Sequence, residues 1–297
     1  MVVLGPTASG KSDVAMEAAR LVGGVNIVAA DSMQVYRGMD IGTAKPTVRD
    51  RAEVVHHGLD LVDPHEDFSV AQYVGAIAEA RIAMADQNAT ELIVGGTGLY
   101  VTALVDGLTM PGQWPDIRAE LEANDDTAAL FAELVERDPI AASRMEDNNR
   151  RRIIRALEVC RGSGQRFSSF GEGIARFPET DTVMIGIKWQ RDALRDRIAR
   201  RVNSMMEAGL VDEVRRLVAS PQSLSRTARQ ALGYKEVIEG LAANQSQQQM
   251  AETITLRTQQ FAVRQERWYR RDPRITWVEV QSDPVSVITP HVVLALT

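Results

Sequence analysis

Gly5-Pro6-Thr7-Ala8-Ser9-Gly10-Lys11-Ser12 follows the pattern G-x-x-x-x-G-K-[ST]. Two glycines bracketing four residues let the backbone curl until several N–H groups converge, an anion nest at the N-terminus of a helix. Lys11 brings a point charge to bound phosphates, and the Ser12 hydroxyl is a ligand for a magnesium ion held between them. Val2-Val3-Leu4 ahead of the loop reads as a strand end, and Val14, Ala18, Leu21 and Val22 behind it as one face of a helix. In that setting a phosphate or pyrophosphate site outweighs a Gly-rich turn without a ligand. Gly5, Thr7, Ala8, Ser9, Gly10, Lys11 and Ser12 are its candidate residues, and Ser12 is its candidate metal ligand. The strand looks cut short, and a few residues are expected to precede Met1 in the full gene product. The loop does not decide which polyphosphate is bound, because a nest of N–H groups accepts a nucleoside triphosphate or a pyrophosphate alike.

Working outward, Val25 to Ala30 is an apolar run between Gly23-Gly24 and Asp31, as a buried parallel strand should be. Asp31-Ser32-Met33-Gln34 then stands at that strand's carboxyl end, the edge of an α/β sheet where ligands bind and where the phosphate loop also lies. Asp31 is thereby set beside the phosphates, with a turn or helix-capping Asp as the plainer alternative. Residues 37 to 67 are turn-rich, and a loop of that length in a compact domain usually covers a site. His56 and His57 within it are read as structural: neighbouring side chains on an extended segment point opposite ways, and no ligand partner follows at metal spacing. Ser69 to Gln87 reads as a helix with Val70, Tyr73, Val74, Ile77 and Ile82 toward one face and Ser69 as its cap. Glu91 to Val94 is the next strand and ends in Gly95-Gly96-Thr97-Gly98. A nucleoside triphosphatase carries an aspartate where this chain has Gly95, so the kinase and ATPase readings weaken.

The 297 residues fit one α/β core with an insertion, and 44% hydrophobic and 25% charged residues are ordinary for a globular chain. No stretch approaches the roughly 18 uninterrupted apolar residues of a membrane span, and the first residues given lack the basic n-region and long apolar h-region of a signal peptide. Cys160 is the single cysteine, so an intrachain disulfide is excluded. A cytoplasmic enzyme, expected as a monomer without a membrane partner, is the plain reading. The net charge of −6 argues against a nucleic-acid partner on average, yet eight arginines lie between Arg144 and Arg176 and six between Arg257 and Arg274. Such local clusters suit phosphate backbones or, equally, solvated helix faces.

From Pro111 to about Asp181 the strand–helix alternation breaks into charged helical segments: Ile117 to Leu121, Ala128 to Arg137 and Asn148 to Arg155. Gly162, Gly164, Gly171 and Gly173 follow as a flexible return. The core resumes with a strand from Thr182 to Lys188, a long helix through Leu194, Ile198, Val202, Met205, Leu210, Val214 and Leu217, and helices near 226–241 and 247–271. Arg274 to Val280 closes the sheet. In the last helix arginines interleave with Trp268 and Tyr269, which suits base stacking, although Trp268 suits a core position better. The expected architecture is an α/β, P-loop NTPase-like parallel sheet flanked by helices. Its core spans 1–112 and 181–297, and the inserted helical subdomain spans 113–180.

Seven stretches together carry a resemblance: G-P-T-A-S-G-K-S at 5–12, D-S-M-Q-V-Y-R-G-M-D-I-G-T-A-K-P at 31–46, H-H-G-L-D at 56–60, G-G-T-G-L-Y at 95–100, R-R-I-I-R-A-L-E-V at 151–159, G-Y-K-E at 233–236 and R-Q-x-R-W-Y-R at 264–270. On these the chain resembles, from end to end, the tRNA dimethylallyltransferases (tRNA isopentenylpyrophosphate transferases). The resemblance implies transfer of a dimethylallyl group from dimethylallyl diphosphate to the exocyclic N6 amine of the adenosine 3′ of the anticodon. Diphosphate leaves, Mg2+ is the cofactor, and the base flips out of the anticodon loop. The loop residues then hold the diphosphate. Asp31 takes the amine proton, and Thr97 donates to the bridging oxygen. For tRNA contacts the resemblance points to the insertion 113–180 as a tRNA-binding subdomain and to Asp31, Ser32, Met33, Gln34, Thr97, Arg118, Arg151, Arg152, Arg155, Gln230, Gly233, Tyr234, Lys235, Arg264, Gln265, Arg267 and Arg270. Some relatives carry Arg in place of Gln230 and Lys in place of Val263, which bears on those two contacts alone. The eukaryotic zinc-finger extension is absent from this sequence, so a bacterial-type enzyme is expected.

Three rivals are separable. A small-molecule kinase would use Asp31 as the acceptor's base and would phosphorylate small hydroxyl acceptors. A prenyltransferase for free adenine nucleotides would share the loop and Asp31 but would not need the basic insertion. A tRNA-binding module without catalysis would keep its function when Asp31 is replaced.

Overall fold

The computed structural model describes residues 1–108, 110–170 and 176–297. Its sheet consists of β1 (Val2–Leu4), β2 (Val25–Ala30), β3 (His56–His57), β4 (Thr90–Gly95), β5 (Met184–Trp189) and β6 (Thr276–Val280), all parallel, in the order β3-β2-β4-β1-β5-β6. β1 and β2 are buried along their whole length, as apolar strands covered on both faces must be. The register carries the functional consequence. Leu4 and Ala30 both stand opposite Gly95, so β1, β4 and β2 leave the sheet at one level. Adjacent strands are about 4.8 Å apart, which sets the β1 and β2 exits roughly 10 Å apart with the β4 exit between them.

Helix α1 (Lys11–Val22) follows β1, α2 (Val48–Glu53) lies in the long loop after β2, and α3 (Val70–Asp86) and α4 (Gly98–Asp106) flank β4. Ser69 caps α3 through a capping box with Gln72. Tyr73 and Ile77 of α3 are buried, whereas Ile82 is 67% exposed and does not belong to the expected apolar face. His56 and His57 form the sheet's edge strand, and His57 Nε2 lies 3.1 Å from the side-chain amide of Asn26.

The chain divides into two compact units, Met1–Val105 with Glu179–Thr297, and Asp106–Pro178. The second is helical: α5 (Pro115–Ala123), α6 (Thr127–Arg137), α7 (Pro139–Ser143) and α8 (Arg150–Ser163) enclose Leu121, Leu130, Leu134, Ile153 and Leu157. Gly162 is no hinge here. It sits within α8, and a Cβ on it would lie 2.1 Å from the Trp114 ring. Gly164, at φ +69°, ends the helix in the left-handed conformation that glycine adopts without strain. Gly171 and Gly173 lie outside the described residues.

The first unit continues through α9 (Arg191–Glu207), α10 (Leu210–Val218), α11 (Arg226–Arg229), α12 (Tyr234–Ala242), α13 (Gln247–Tyr269) and α14 (Pro284–Leu296). The single long helix expected from Leu194 to Leu217 is two, broken at Gly209 (φ +95°), and the helix expected over 226–241 breaks at Gly233 (φ +90°). β5 starts two residues later than expected because Val183 is solvent-exposed. α14, not expected from the sequence, packs on α1. Among the described residues no helix is long and apolar enough to cross a membrane.

Candidate active site

The turn after β1 shows why two of its residues are glycine. A Cβ on Gly5 would come 3.0 Å from Ser9 Oγ and 3.1 Å from the Ile187 carbonyl, and one on Gly10 would come 2.4 Å from Pro284 Cγ. Ala8 holds φ +61°, a left-handed conformation rare outside glycine and typical of residues strained at functional sites. The loop is gripped from outside. Trp189 Nε1 donates to the Ser9 carbonyl at 3.0 Å, Arg197 Nε donates to the Ala8 carbonyl at 2.8 Å, and Gln265 Oε1 accepts from the Thr7 N–H at 2.8 Å. That last bond takes the Thr7 N–H away from any phosphate. Ser9 Oγ is buried with no hydrogen-bond partner among the described residues, and the Ser12 hydroxyl is exposed at the first turn of α1. The partly buried Lys11 ammonium donates to the Pro6 carbonyl at 2.8 Å. Burial, then the Arg201 charge, push its pKa down from 10.5 to about 7, against the pull of Asp31.

At the β2 exit, Asp31 Oδ1 accepts from the Met33 N–H at 2.8 Å and from the Gln34 N–H at 3.4 Å, which fixes the carboxylate. Oδ2 has no hydrogen-bond partner among the described residues. At the β4 exit, Thr97 Oγ1 accepts from the Ser32 N–H at 3.1 Å and lies 3.3 Å from Ser32 Oγ. Asp31, Thr97 and Thr7 line one cavity of about 490 Å³, along with Arg201, Arg257 and Arg264. Asp31 therefore borders the same space as Thr7 of the phosphate loop. Arg201 was not anticipated from the sequence. Burial pushes its pKa down while Asp31 and Asp13 hold it up, and it has no hydrogen-bonded protein partner among the described residues. A partly buried guanidinium in that situation suits an anion. Its signal was available: Ile198, Val202 and Met205 mark the buried side of α9, and Arg201 falls on it.

Helix α13 closes the β4 turn side chain by side chain. Gln265 Nε2 donates to the Gly96 carbonyl at 2.6 Å, and Tyr269 Oη donates to the Gly95 carbonyl at 3.3 Å. Added Cβ atoms would lie 2.7 Å from Gln265 Nε2 at Gly96 and 2.2 Å from Trp268 Cδ1 at Gly98. The turn thus needs its glycines because α13 lies directly on it, and Trp268 and Tyr269 are packing residues. Gly98→Ala is expected to lower unfolding free energy by about 1–3 kcal/mol. Urea denaturation checks this, and an unchanged midpoint would show that Trp268 moves aside freely.

The other residues suggested for tRNA divide. Ser32, Met33, Gln230, Gly233, Lys235 and Arg264 line the cavity, and Arg267 is exposed. Arg270 is also exposed but is paired with Glu266. Gln34 is buried, its amide donating to the Thr43 and Ala44 carbonyls. Tyr234 is fully buried and donates to Glu213 at 2.6 Å, while Gln265 is 7% exposed with both amide ends used internally. These three side chains are engaged in internal hydrogen bonds. In the second unit Arg151 and Arg152 are exposed. Arg155 and Arg118 instead face the buried Glu158 carboxylate, at 2.9 and 3.6 Å, and Arg155 also donates to the Pro111 carbonyl at 2.8 Å.

A parallel sheet whose first strand ends in a phosphate-loop motif, with a carboxylate and a threonine at the next two exits, defines a P-loop-like α/β protein. A family profile described as IPP transferase matches residues 34–272. The tRNA dimethylallyltransferase of Streptomyces avermitilis is 45% identical over 94% of this chain and 89% of its own length; that of Geobacter sulfurreducens is 43% identical over 97% and 94%. Among solved structures, the tRNA isopentenylpyrophosphate transferase of Bacillus halodurans superposes with a TM-score of 0.70 at 35% identity, over 99% of this chain and 95% of that one. A eukaryotic dimethylallyltransferase acting on tRNA, 23% identical, superposes at 0.80 over 94% and 73% and shares the fold. The chain belongs to the IPP transferase family, that of the tRNA dimethylallyltransferases.

Proposed function

We propose that this protein transfers a dimethylallyl group from dimethylallyl diphosphate to the N6 amine of the adenosine 3′ of the anticodon in tRNA, releasing diphosphate. The observation that carries this reading is the shared cavity of Asp31, Thr97, Thr7 and Arg201, with three strand exits at one level. The donor's diphosphate lies over the phosphate loop, against Lys11 and Arg201, and its allyl group reaches past the β4 exit toward Asp31. An adenine amine is a weak nucleophile because its lone pair is delocalised into the ring. As its nitrogen bonds to the allylic carbon, the carbon–oxygen bond breaks and its electron pair goes to the diphosphate. The amine proton passes to Asp31 Oδ2. Thr97 donates toward the bridging oxygen, and the two cations stabilise the charge that builds there. The exposed Ser12 hydroxyl is a hard oxygen donor suited to Mg2+, which when bound neutralises diphosphate charge. Lys235, Arg257 and Arg264 around the cavity mouth hold the tRNA backbone.

The purified protein with labelled dimethylallyl diphosphate, offered tRNA, ATP or AMP, tests this. Label is expected in tRNA alone. Label in AMP or ATP would establish the free-nucleotide prenyltransferase instead, and no label in any acceptor would refute prenyl transfer.

A further inference from the structure

Gln265 does something for the two halves of the site that neither half does for itself. Its Oε1 accepts from the Thr7 N–H of the phosphate loop at 2.8 Å, and its Nε2 donates to the Gly96 carbonyl of the β4 turn at 2.6 Å. Only this orientation of the amide satisfies both partners, since the flipped form would set a donor against a donor and an acceptor against an acceptor. The side chain is 7% exposed, so both bonds are shielded from competing water. On the far side of Gly96, Thr97 Oγ1 holds the Ser32 N–H, and Ser32 adjoins Asp31. A continuous run of bonds therefore connects Thr7, Gln265, Gly96, Thr97 and Ser32, from leaving-group loop to acceptor carboxylate.

We propose that Gln265 is a positioning residue that sets the spacing between the leaving-group loop and the acceptor edge, so that bound donor and bound adenosine meet at reacting distance. The proposal rests on the prenyl-transfer reading above. β1 and β4 are hydrogen-bonded only as far as Leu4 and Gly95, and beyond that level the two turns depart separately. Trp268 and Tyr269 touch the β4 turn but, among the described residues, make no hydrogen bond to the phosphate loop. Trp189 and Arg197 hold the loop but not the turn. Gln265 alone among these spans both. The chemistry of the bridge also explains the residue type. Asn is one methylene too short, Glu accepts from Thr7 but in its ionised form opposes the Gly96 carbonyl, and Met fills the space without bonding either.

The test compares Gln265→Met and Gln265→Glu with the unaltered protein. Single-turnover prenyl transfer is measured at saturating donor and tRNA, with affinities for inorganic diphosphate and for tRNA measured separately. A positioning role predicts a single-turnover rate lower by roughly 100-fold, as expected for reactants held about 1 Å out of place. Both affinities should stay within about threefold of the unaltered protein. A rise of tenfold or more in the diphosphate dissociation constant, with the saturated rate retained, would mean that Gln265 only supports the loop. The same pattern for tRNA would make it a nucleic-acid contact. Unchanged rates in both variants would dismiss any role, and each of these three results overturns the proposal. Should Gln265→Met fail to fold, the nearly isosteric Gln265→Glu is read against the same criteria. Failure of the underlying reading is distinguishable, because the unaltered protein would then not prenylate tRNA at all.

Discussion

Asp31→Asn is expected to slow prenyl transfer by about 100- to 10,000-fold, the range for loss of a positioned general base. The substitution isolates the chemistry. An amide oxygen can still accept from the Met33 N–H, so the turn after β2 keeps its shape. What is lost is the free Oδ2 as a proton acceptor. Binding of dimethylallyl diphosphate and tRNA should each change by no more than a few-fold, because Lys11, Arg201 and the basic residues at the cavity mouth are untouched. Rapid quench under single-turnover conditions reads the rate, and equilibrium binding reads the affinities. A variant within tenfold of the unaltered protein would remove Asp31 from the proton transfer. A variant that loses tRNA binding would make its role one of recognition.

Lys11→Met should have opposite effects on catalysis and on stability. Transfer is expected to fall by about 100- to 1,000-fold, the scale for removing one preorganised stabiliser of developing negative charge. The unliganded protein, however, should become more stable. Burial and the Arg201 charge depress the Lys11 pKa from 10.5 to about 7, so the folded state disfavours the ammonium. Between those two values the unfolded chain binds more protons than the folded one, and stability from this group rises with pH. The penalty is complete below pH 7 and absent above 10.5. The stability advantage of Lys11→Met should accordingly be largest in mildly acidic buffer and shrink toward pH 10. A bound diphosphate reverses the balance by favouring the charged form. Donor binding at pH 8 should therefore take up close to one proton, visible as a dependence of binding heat on buffer ionisation enthalpy and missing in Lys11→Met. Binding heat independent of buffer in the unaltered protein would contradict this account.

How much of this was legible beforehand depends on the kind of signal. The phosphate loop, Asp31 and the Gly95–Gly98 turn could be read because backbone geometry restricts their residue types and their place at strand ends is local. Arg201 is less legible, because α9 carries Arg191, Arg195, Arg197, Arg200 and Arg201, and composition does not separate an inward guanidinium from four neighbours. Only its phase with Ile198 and Met205 does. Gln34, Tyr234 and Gln265 lie within distinctive motifs, and a motif says that a position is constrained without saying by what. Here the constraint is burial and internal hydrogen bonding. Arg118 and Arg155 are the same lesson in the second unit, since a charged cluster in sequence does not reveal the buried carboxylate beneath it.

The segment following Asp31 has its own fixture. The buried Glu213 carboxylate accepts from the N–H groups of Asp40, Ile41 and Gly42 at 3.1, 2.9 and 3.2 Å, and from Tyr234 Oη at 2.6 Å. Lys45, its side chain wholly buried, pairs with Asp40 and Asp60 at 2.7 Å. Residues 31–46 therefore draw their form from a helix about 170 positions downstream, and they are no self-sufficient cassette. Grafted into another scaffold without Glu213 and Tyr234, the segment would keep its letters and lose its shape.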